Sequence, residues 1–279
     1  MKNLLLKMTA CFVLSWGWLP AFAAPGKIDI TVSIPPQAYF VERIGGNLVS
    51  THIMIPGGAN PATYEPTPRQ LIELSNSQMY MKVGTPTFFF EKKYLQTFLD
   101  RNSRMTVIDA SAGVVLRTGD PHIWTSPARV KTAAAAIAGA LATLDSSHRD
   151  AYENNLKGFL AEIDALDQWI RKSLEGKKGW SFMIYHPSWG YFADEYGIVQ
   201  IPIEERGKPG NAAHIRKMID LARKKGISDI LVQRGFDDKN ARTIAAELKG
   251  RVIEVDPLER DWPHSLKTFT SALAGILRK

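Results

Sequence analysis

Four short segments place a histidine or a carboxylate just after a predicted strand or in a loop, where α/β lobes usually bind ligands. They are Asp120-Pro121-His122-Ile123-Trp124, Tyr185-His186-Pro187-Ser188-Trp189, Val255-Asp256-Pro257-Leu258 and Asn60-Pro61-Ala62-Thr63-Tyr64-Glu65. Imidazole and carboxylate groups can ligate a metal ion, but each segment also has an ordinary structural explanation. A histidine in a turn is often a surface or helix-entry residue, and an aspartate after a strand often stabilises a turn.

The N-terminus has the order of a secretory signal peptide. Two lysines precede an uncharged apolar run over residues 8–19, and the small-residue sequence Ala21-Phe22-Ala23-Ala24 follows. The apolar run is too short to span a bilayer. Residues 1–23 therefore predict a cleaved signal peptide and a periplasmic protein.

The sequence contains one cysteine, Cys11, and it lies within the predicted signal peptide. The mature chain would have neither a disulfide nor a thiolate, so any metal must be held by histidine and carboxylate. Removing residues 1–23 takes away two lysines and no acid, which lowers the formal charge from +7 to +5. This mildly basic charge, without a Lys/Arg run interleaved with aromatics, argues against a nucleic-acid partner.

Predicted strands and helices alternate in both halves of the chain, which indicates an α/β protein with parallel sheets. Between the halves, apolar residues from Tyr152 to Leu174 recur at steps of three and four and predict one long helix over residues 147–174. Such a helix exceeds what one small lobe needs, so we expect it to join two lobes. The predicted organisation is an N-terminal α/β lobe (24–145), an interlobe helix (146–175) and a C-terminal α/β lobe (176–279), with a ligand cleft between the lobes.

Taken in chain order, the four segments resemble the motifs of the periplasmic zinc/manganese solute-binding proteins of ABC importers. The likeness covers nearly all of the mature chain. Supporting matches are Ser33-Ile34-Pro35-Pro36, Ile44-Gly45-Gly46 and Ile201-Pro202-Ile203-Glu204. The resemblance implies two α/β lobes joined by a rigid helix, with one metal held in the cleft between them.

The resemblance also implies the metal ligands: His122 from the first lobe, and His186 and Asp256 from the second. Two neutral imidazoles and one carboxylate suit a borderline divalent ion such as Zn²⁺. A histidine at position 186 favours Zn²⁺ over Mn²⁺, because manganese-type relatives tend to carry a glutamate there.

The sequence departs from the family pattern at two positions. Ala62 stands where the motif has another histidine, which leaves three implied ligands and a fourth position open to water or a carboxylate. The carboxylates considered for that position are Glu65, Glu204 and Glu205. The second departure is Arg234, a cation near the end of a second-lobe strand. If it faced the cleft, it would disfavour a metal cation and favour an anionic ligand.

The implied function is the capture of a divalent metal, Zn²⁺ before Mn²⁺, and its delivery to an ABC importer permease in the inner membrane by a monomer without catalysis. One alternative is a diverged member that binds metal weakly or takes another ligand, including an anionic one. A remote alternative is a zinc-dependent hydrolase, which needs a general base near the metal. Glu65 is the candidate for that base.

Overall fold

The computed structural model describes residues 26–204, 210–236 and 239–277. Two four-stranded parallel sheets form the centres of two lobes. The first sheet has the order β2-β1-β3-β4 and the second the order β6-β5-β7-β8. The strands are β1 (Ile28–Val32), β2 (Val49–Ile53), β3 (Met79–Lys82), β4 (Thr106–Asp109), β5 (Ser181–Ile184), β6 (Val199–Pro202), β7 (Ile230–Gln233) and β8 (Val252–Val255). The predicted fold class is confirmed.

Helices connect and cover the strands, as expected for parallel sheets. They are α1 (Pro35–Gly45), α2 (Pro68–Asn76), α3 (Phe89–Arg101), α4 (Pro127–Leu144), α5 (Arg149–Ser173), α6 (Gly190–Tyr196), α7 (Ala212–Lys225), α8 (Lys239–Glu247) and α9 (Trp262–Ile276). Among the described residues, no helix is both long enough and apolar enough to cross a membrane.

The long helix predicted over residues 147–174 is confirmed as α5. Its 25 residues form one unbroken helix of about 37 Å at 1.5 Å per residue. The predicted apolar stripe is buried at Tyr152, Phe159, Ile163, Leu166 and Ile170. These residues pack α5 against α1 and α4 of the first lobe and α9 of the second. One rigid element therefore contacts both lobes.

The two lobes share one continuous hydrophobic core, which contains residues from both sheets. Trp124 is one of its buried members. The indole Nε1 of Trp124 donates to Pro257 O at 2.7 Å, and Trp124 O accepts from Trp262 Nε1 at 2.7 Å. The Trp262 ring packs edge-on against Phe40 with centroids 5.2 Å apart. The segment around Trp124 is thus fixed against the second lobe.

Helix α6 of the second lobe also contacts the first lobe directly. The carboxylate of Glu195 accepts hydrogen bonds from the Ser126 hydroxyl and from Ala128 N at the beginning of α4. The Tyr191 hydroxyl accepts from Arg117 N at 2.8 Å. The loop between β4 and α4 is therefore held by α6 on either side of His122.

Candidate metal centre

His122 lies in the turn before α4, where Asp120 fixes its ring. Asp120 Oδ1 accepts from His122 N at 2.9 Å and lies 2.8 Å from His122 Nδ1. Burial lowers the pKa of His122, although the carboxylate of Asp120 acts to raise it. Burial would raise the pKa of Asp120, but the contacts with His122 outweigh it and the pKa is lowered. The pair therefore favours a neutral imidazole beside an ionised carboxylate, which is the state a metal ligand requires.

His186 follows β5 at the carboxyl end of the second sheet. Its Nδ1 lies 2.7 Å from Glu204 Oε2, and Glu204 follows the neighbouring strand β6. The Glu204 side chain is only 7 % exposed. On its other side the His186 ring stacks on Phe236, with centroids 4.5 Å apart. The imidazole is thus oriented by a carboxylate and by an aromatic face.

The structure brings His122 and His186 together across the cleft, with ring centroids 5.3 Å apart. Both line a cavity of about 520 Å³ between the lobes. In each ring Nδ1 contacts a carboxylate, so Nε2 is the remaining donor atom, and no hydrogen bond to it occurs within the described residues. Metal-binding histidines almost always donate the N–H of the second ring nitrogen to a carboxylate, a backbone carbonyl or water. The structure thus brings together two histidine rings whose Nε2 atoms have no hydrogen bond within the described residues.

Asp256 follows β8 and lies farther along the same sheet edge. Strands β5 and β8 flank β7, so residues at their ends are separated by two strand spacings, about 10 Å. Asp256 Oδ1 accepts from Leu258 N at 2.9 Å, and its Oδ2 lies 3.6 Å from Arg234 Nη1. Burial raises the pKa of Asp256, while Leu258 N and Arg234 act to lower it. Within residues 26–204, 210–236 and 239–277, no three His, Cys, Asp or Glu side chains are close enough to hold a metal ion together.

Arg234 does not line the cavity. Its side chain is 57 % exposed, and Nε lies 2.9 Å from Glu254 Oε1. The guanidinium is therefore occupied by Glu254 and Asp256 at the rim of the cleft. The predicted condition for an anionic ligand, an Arg234 that faces the cleft, is not met.

Ala62 lines the same cavity as the two histidines. Its N donates to Asn60 Oδ1 at 2.9 Å, within a turn that also bonds Tyr64 N to Asn60 O. Glu65 does not line the cavity: its side chain is 74 % exposed, and its Oε1 lies 2.9 Å from Lys93 Nζ. The carboxylate of Glu65 thus binds helix α3.

Comparison with known proteins places the chain in a family. The profile described as "ZnuA: Zinc-uptake complex component A periplasmic" matches residues 30–278. The chain belongs to the ZnuA family. A crystal structure of a ZnuA protein is 41 % identical and superposes with a TM-score of 0.86, covering 90 % of this chain and 99 % of that one. A ZnuA mutant lacking residues 138–173, crystallised with zinc bound, is 40 % identical with a TM-score of 0.85 over 91 % of this chain and 99 % of that one.

More distant ZnuA relatives carry zinc in their names. The high-affinity zinc uptake system protein ZnuA of Bacillus subtilis (strain 168) is 22 % identical over 260 residues, which cover 84 % of this chain and 79 % of that protein. The zinc-binding lipoprotein AdcA of Streptococcus pneumoniae serotype 4 is 22 % identical over 263 residues, 85 % of this chain. This chain spans about half of AdcA, 51 % of its length.

The sequence motifs named both histidines as candidate ligands but did not indicate that carboxylates orient their rings. Asp120 belongs to the Asp120-Pro121-His122 motif, and its spacing of two residues from His122 is the signal for this contact. Glu204 was named as a candidate ligand, whereas in the structure it contacts His186 Nδ1. The other candidate at that strand end, Glu205, lies outside the described residues.

Proposed function

We propose that this protein captures Zn²⁺ in the cleft between its lobes and delivers it to an ABC importer. The observation that carries the proposal is the pair His122 and His186, whose Nδ1 atoms both contact buried carboxylates while both rings line one interlobe cavity. Imidazole nitrogen is a preferred ligand of Zn²⁺, and the names of the relatives support zinc over other divalent ions.

His122 and His186 supply Nε2, and Asp256 is proposed as the third protein ligand. Asp256 Oδ2 lies 3.6 Å from Arg234 Nη1. To bind a metal cation, the Asp256 carboxylate must therefore give up its contact with the guanidinium. Leu258, two residues further on, lines the cavity. Asp256 therefore stands at the edge of the site, and its contribution depends on release from Arg234.

The proposed setting is the periplasm. The family profile and the relatives named as uptake proteins and lipoproteins support an exported protein that works with a membrane permease. The predicted signal peptide, residues 1–23, lies outside the described residues. The proposal includes cleavage of the signal peptide after residue 23. It also includes a monomeric mature protein.

The remaining alternatives lack support at the residues on which they depend. A hydrolase would need a general base beside the metal, and Glu65 is instead an exposed partner of Lys93 outside the cavity. An anionic ligand would need the Arg234 guanidinium in the cleft, where it does not lie. Metal binding weaker than in a four-ligand relative remains compatible with Ala62 and is part of the proposal.

Calorimetric titration of the demetallated, signal-free protein with Zn²⁺ and with Mn²⁺ tests the proposal. We expect one Zn²⁺ site and weaker binding of Mn²⁺, because Mn²⁺ prefers oxygen ligands to imidazole. Absence of Zn²⁺ binding, in the presence or absence of small chelating ligands, would refute the function. Preferential Mn²⁺ binding would refute the choice of metal.

A further inference from the structure

We propose that the cleft takes zinc as a complex with a small amino-acid chelator bearing a ring nitrogen, whose donors complete the coordination beside Ala62. This inference rests on the proposed function, since it specifies the form in which zinc is bound. Three observations support it: the size of the cavity, the number of protein donors in it, and the chemistry of its wall.

The cavity is far larger than a metal ion with its bonded atoms. Zinc lies about 2.0–2.1 Å from its nitrogen ligands. The interlobe cavity has a volume of about 520 Å³. At about 30 Å³ per water, this corresponds to well over ten water molecules. Sites for small organic molecules commonly measure about 300–1,000 Å³. The space is therefore large enough for an ion that arrives with an organic ligand.

The cavity wall offers few protein donors. His122 and His186 present one free ring nitrogen each, while Asp120 and Glu204, the carboxylates in the wall, contact the other nitrogens. Zinc takes four ligands in most protein sites. The wall also contains the amide oxygen of Gln233, which has no hydrogen-bond partner, but protein zinc sites draw on Cys, His, Asp and Glu. Among the described residues no third side chain of these types joins the two histidines, and Asp256 is tied to Arg234, so the missing donors can come from outside the chain. A bidentate or tridentate chelator supplies both at once.

Charge and aromatic surface specify the chelator. The charged side chains lining the cavity are Arg117, Asp120 and Glu204, so with neutral imidazoles the described wall carries one net negative charge. Arg117 is moreover paired with Asp120 and Asp194. A divalent ion with a monoanionic amino acid has one net positive charge, which complements this wall.

Aromatic rings form much of the remaining wall: Phe88, Phe89, Trp124 and Phe236. Phe89 is 53 % exposed, so its ring is available to a ligand. Planar ring groups stack favourably on such surfaces. An amino acid with an imidazole side chain supplies the missing zinc donors, brings the complementary charge and can stack its ring on the aromatic side chains. L-histidine is the simplest probe of this kind.

The test is zinc titration of the demetallated protein with and without L-histidine, corrected for zinc–histidine equilibria in solution. A site for the bare ion must compete with histidine, so histidine would lower the uncorrected zinc affinity and leave the corrected affinity unchanged. A site for the complex gains affinity, and we expect at least a tenfold increase. Isotopically labelled histidine should also remain with the protein after desalting, in an amount equal to zinc, and should be lost when zinc is omitted.

Two variants at one position provide a matched pair. Ala62→His adds an imidazole where the chelator is proposed to lie, so it should bind bare zinc at least tenfold more tightly and no longer retain labelled histidine. Ala62→Ser leaves the space open and should behave as the wild type. Thermal unfolding of all three proteins checks that they are folded.

The outcomes separate the inference from the proposed function. Zinc binding that histidine only weakens, with no labelled histidine retained, overturns the inference and leaves zinc capture in place. The inference is also overturned if the wild type binds bare zinc tightly and Glu205→Gln loses this binding. In that case the Glu205 carboxylate of the chain itself would supply the missing donor. Failure to bind zinc in any form overturns both.

Discussion

The rings of His122 and His186 lie 5.3 Å apart, although one belongs to a loop of the first lobe and the other to a strand end of the second. Interlobe hydrogen bonds of Trp124 and Tyr191 hold the His122 loop in place, and His186 follows the end of β5. Because each Nδ1 is already bound to a carboxylate, the two Nε2 atoms are the donors available to one ion.

Removing either histidine should weaken zinc binding strongly. We expect His122→Ala and His186→Ala each to lower the affinity at least tenfold, about 1.4 kcal/mol. The double variant should lose less than the sum of the two losses, because ligands of one ion act together. Calorimetry measures all three, with His264→Ala as control, since the His264 side chain is 62 % exposed and outside the cavity. Strictly additive losses would indicate two separate sites.

The carboxylates of Asp120 and Glu204 should raise the zinc affinity without contacting the metal. Asp120→Asn and Glu204→Gln keep the side-chain shapes but remove the charge that orients and polarises each imidazole. Loss of such a partner typically costs about 10- to 100-fold in metal affinity. Asp194→Asn is the matched control, because it removes the other carboxylate partner of Arg117 without contacting His122. If Asp120→Asn and Asp194→Asn lowered the zinc affinity equally, the loss would come from the disturbed Arg117 and not from the orientation of His122.

Releasing Asp256 from Arg234 should increase zinc affinity if Asp256 is a ligand. Arg234 is more than half exposed, and exposed ion pairs contribute about 1 kcal/mol or less, so we expect a gain of at most about fivefold for Arg234→Ala. The gain should vanish in an Asp256→Asn background. Arg251→Ala, which breaks the exposed pair with Asp229, provides the charge-matched control. A gain that persists without Asp256 would remove Asp256 from the ligand set.

A buried carboxylate in the first lobe should make stability depend on pH. Glu91, in the first turn of α3, accepts hydrogen bonds from Ser33, Val83 N and Gly84 N. Burial nevertheless raises its pKa from 4.5 to about 7, and Lys82 opposes this shift only weakly. The folded state thus binds a proton more tightly than the unfolded state. The stabilisation is fully present below pH 4.5 and is lost as the pH rises through about 7.

Urea unfolding of the wild type and of Glu91→Gln, which cannot ionise, measures this effect. Between about pH 4.5 and pH 8 the free energy of unfolding of the wild type should fall by about 3 kcal/mol more than that of the variant. Parallel pH profiles for the two proteins would show that Glu91 titrates normally in the folded state.

The sequence predicted most of the fold because its periodic signals are strong. The apolar period of α5 and the alternation of strands and helices are both found in the structure. Helices α3 and α4 were missed. In α4, Ala133 and Ala134 are buried while Ala135 is exposed, so alanines occupy both faces and the apolar stripe is weak.

The site was predicted only in part. Both histidines follow recognisable motifs, and the structure places them together. The contact of Asp120 with His122 is local to one turn, whereas the contact of Glu204 with His186 and the pairing of Asp256 with Arg234 depend on strand order. Strand β7 lies between β5 and β8, and no local sequence pattern encodes that arrangement.

Diffraction from crystals of the zinc-loaded protein, recorded on both sides of the zinc absorption edge, tests the central claim most directly. We predict one anomalous peak in the interlobe cavity, about 2.0–2.1 Å from Nε2 of both His122 and His186. A peak that contacts only one of these histidines, or zinc located elsewhere on the molecule with the cavity free of it, would contradict the claim that this cleft is the zinc site.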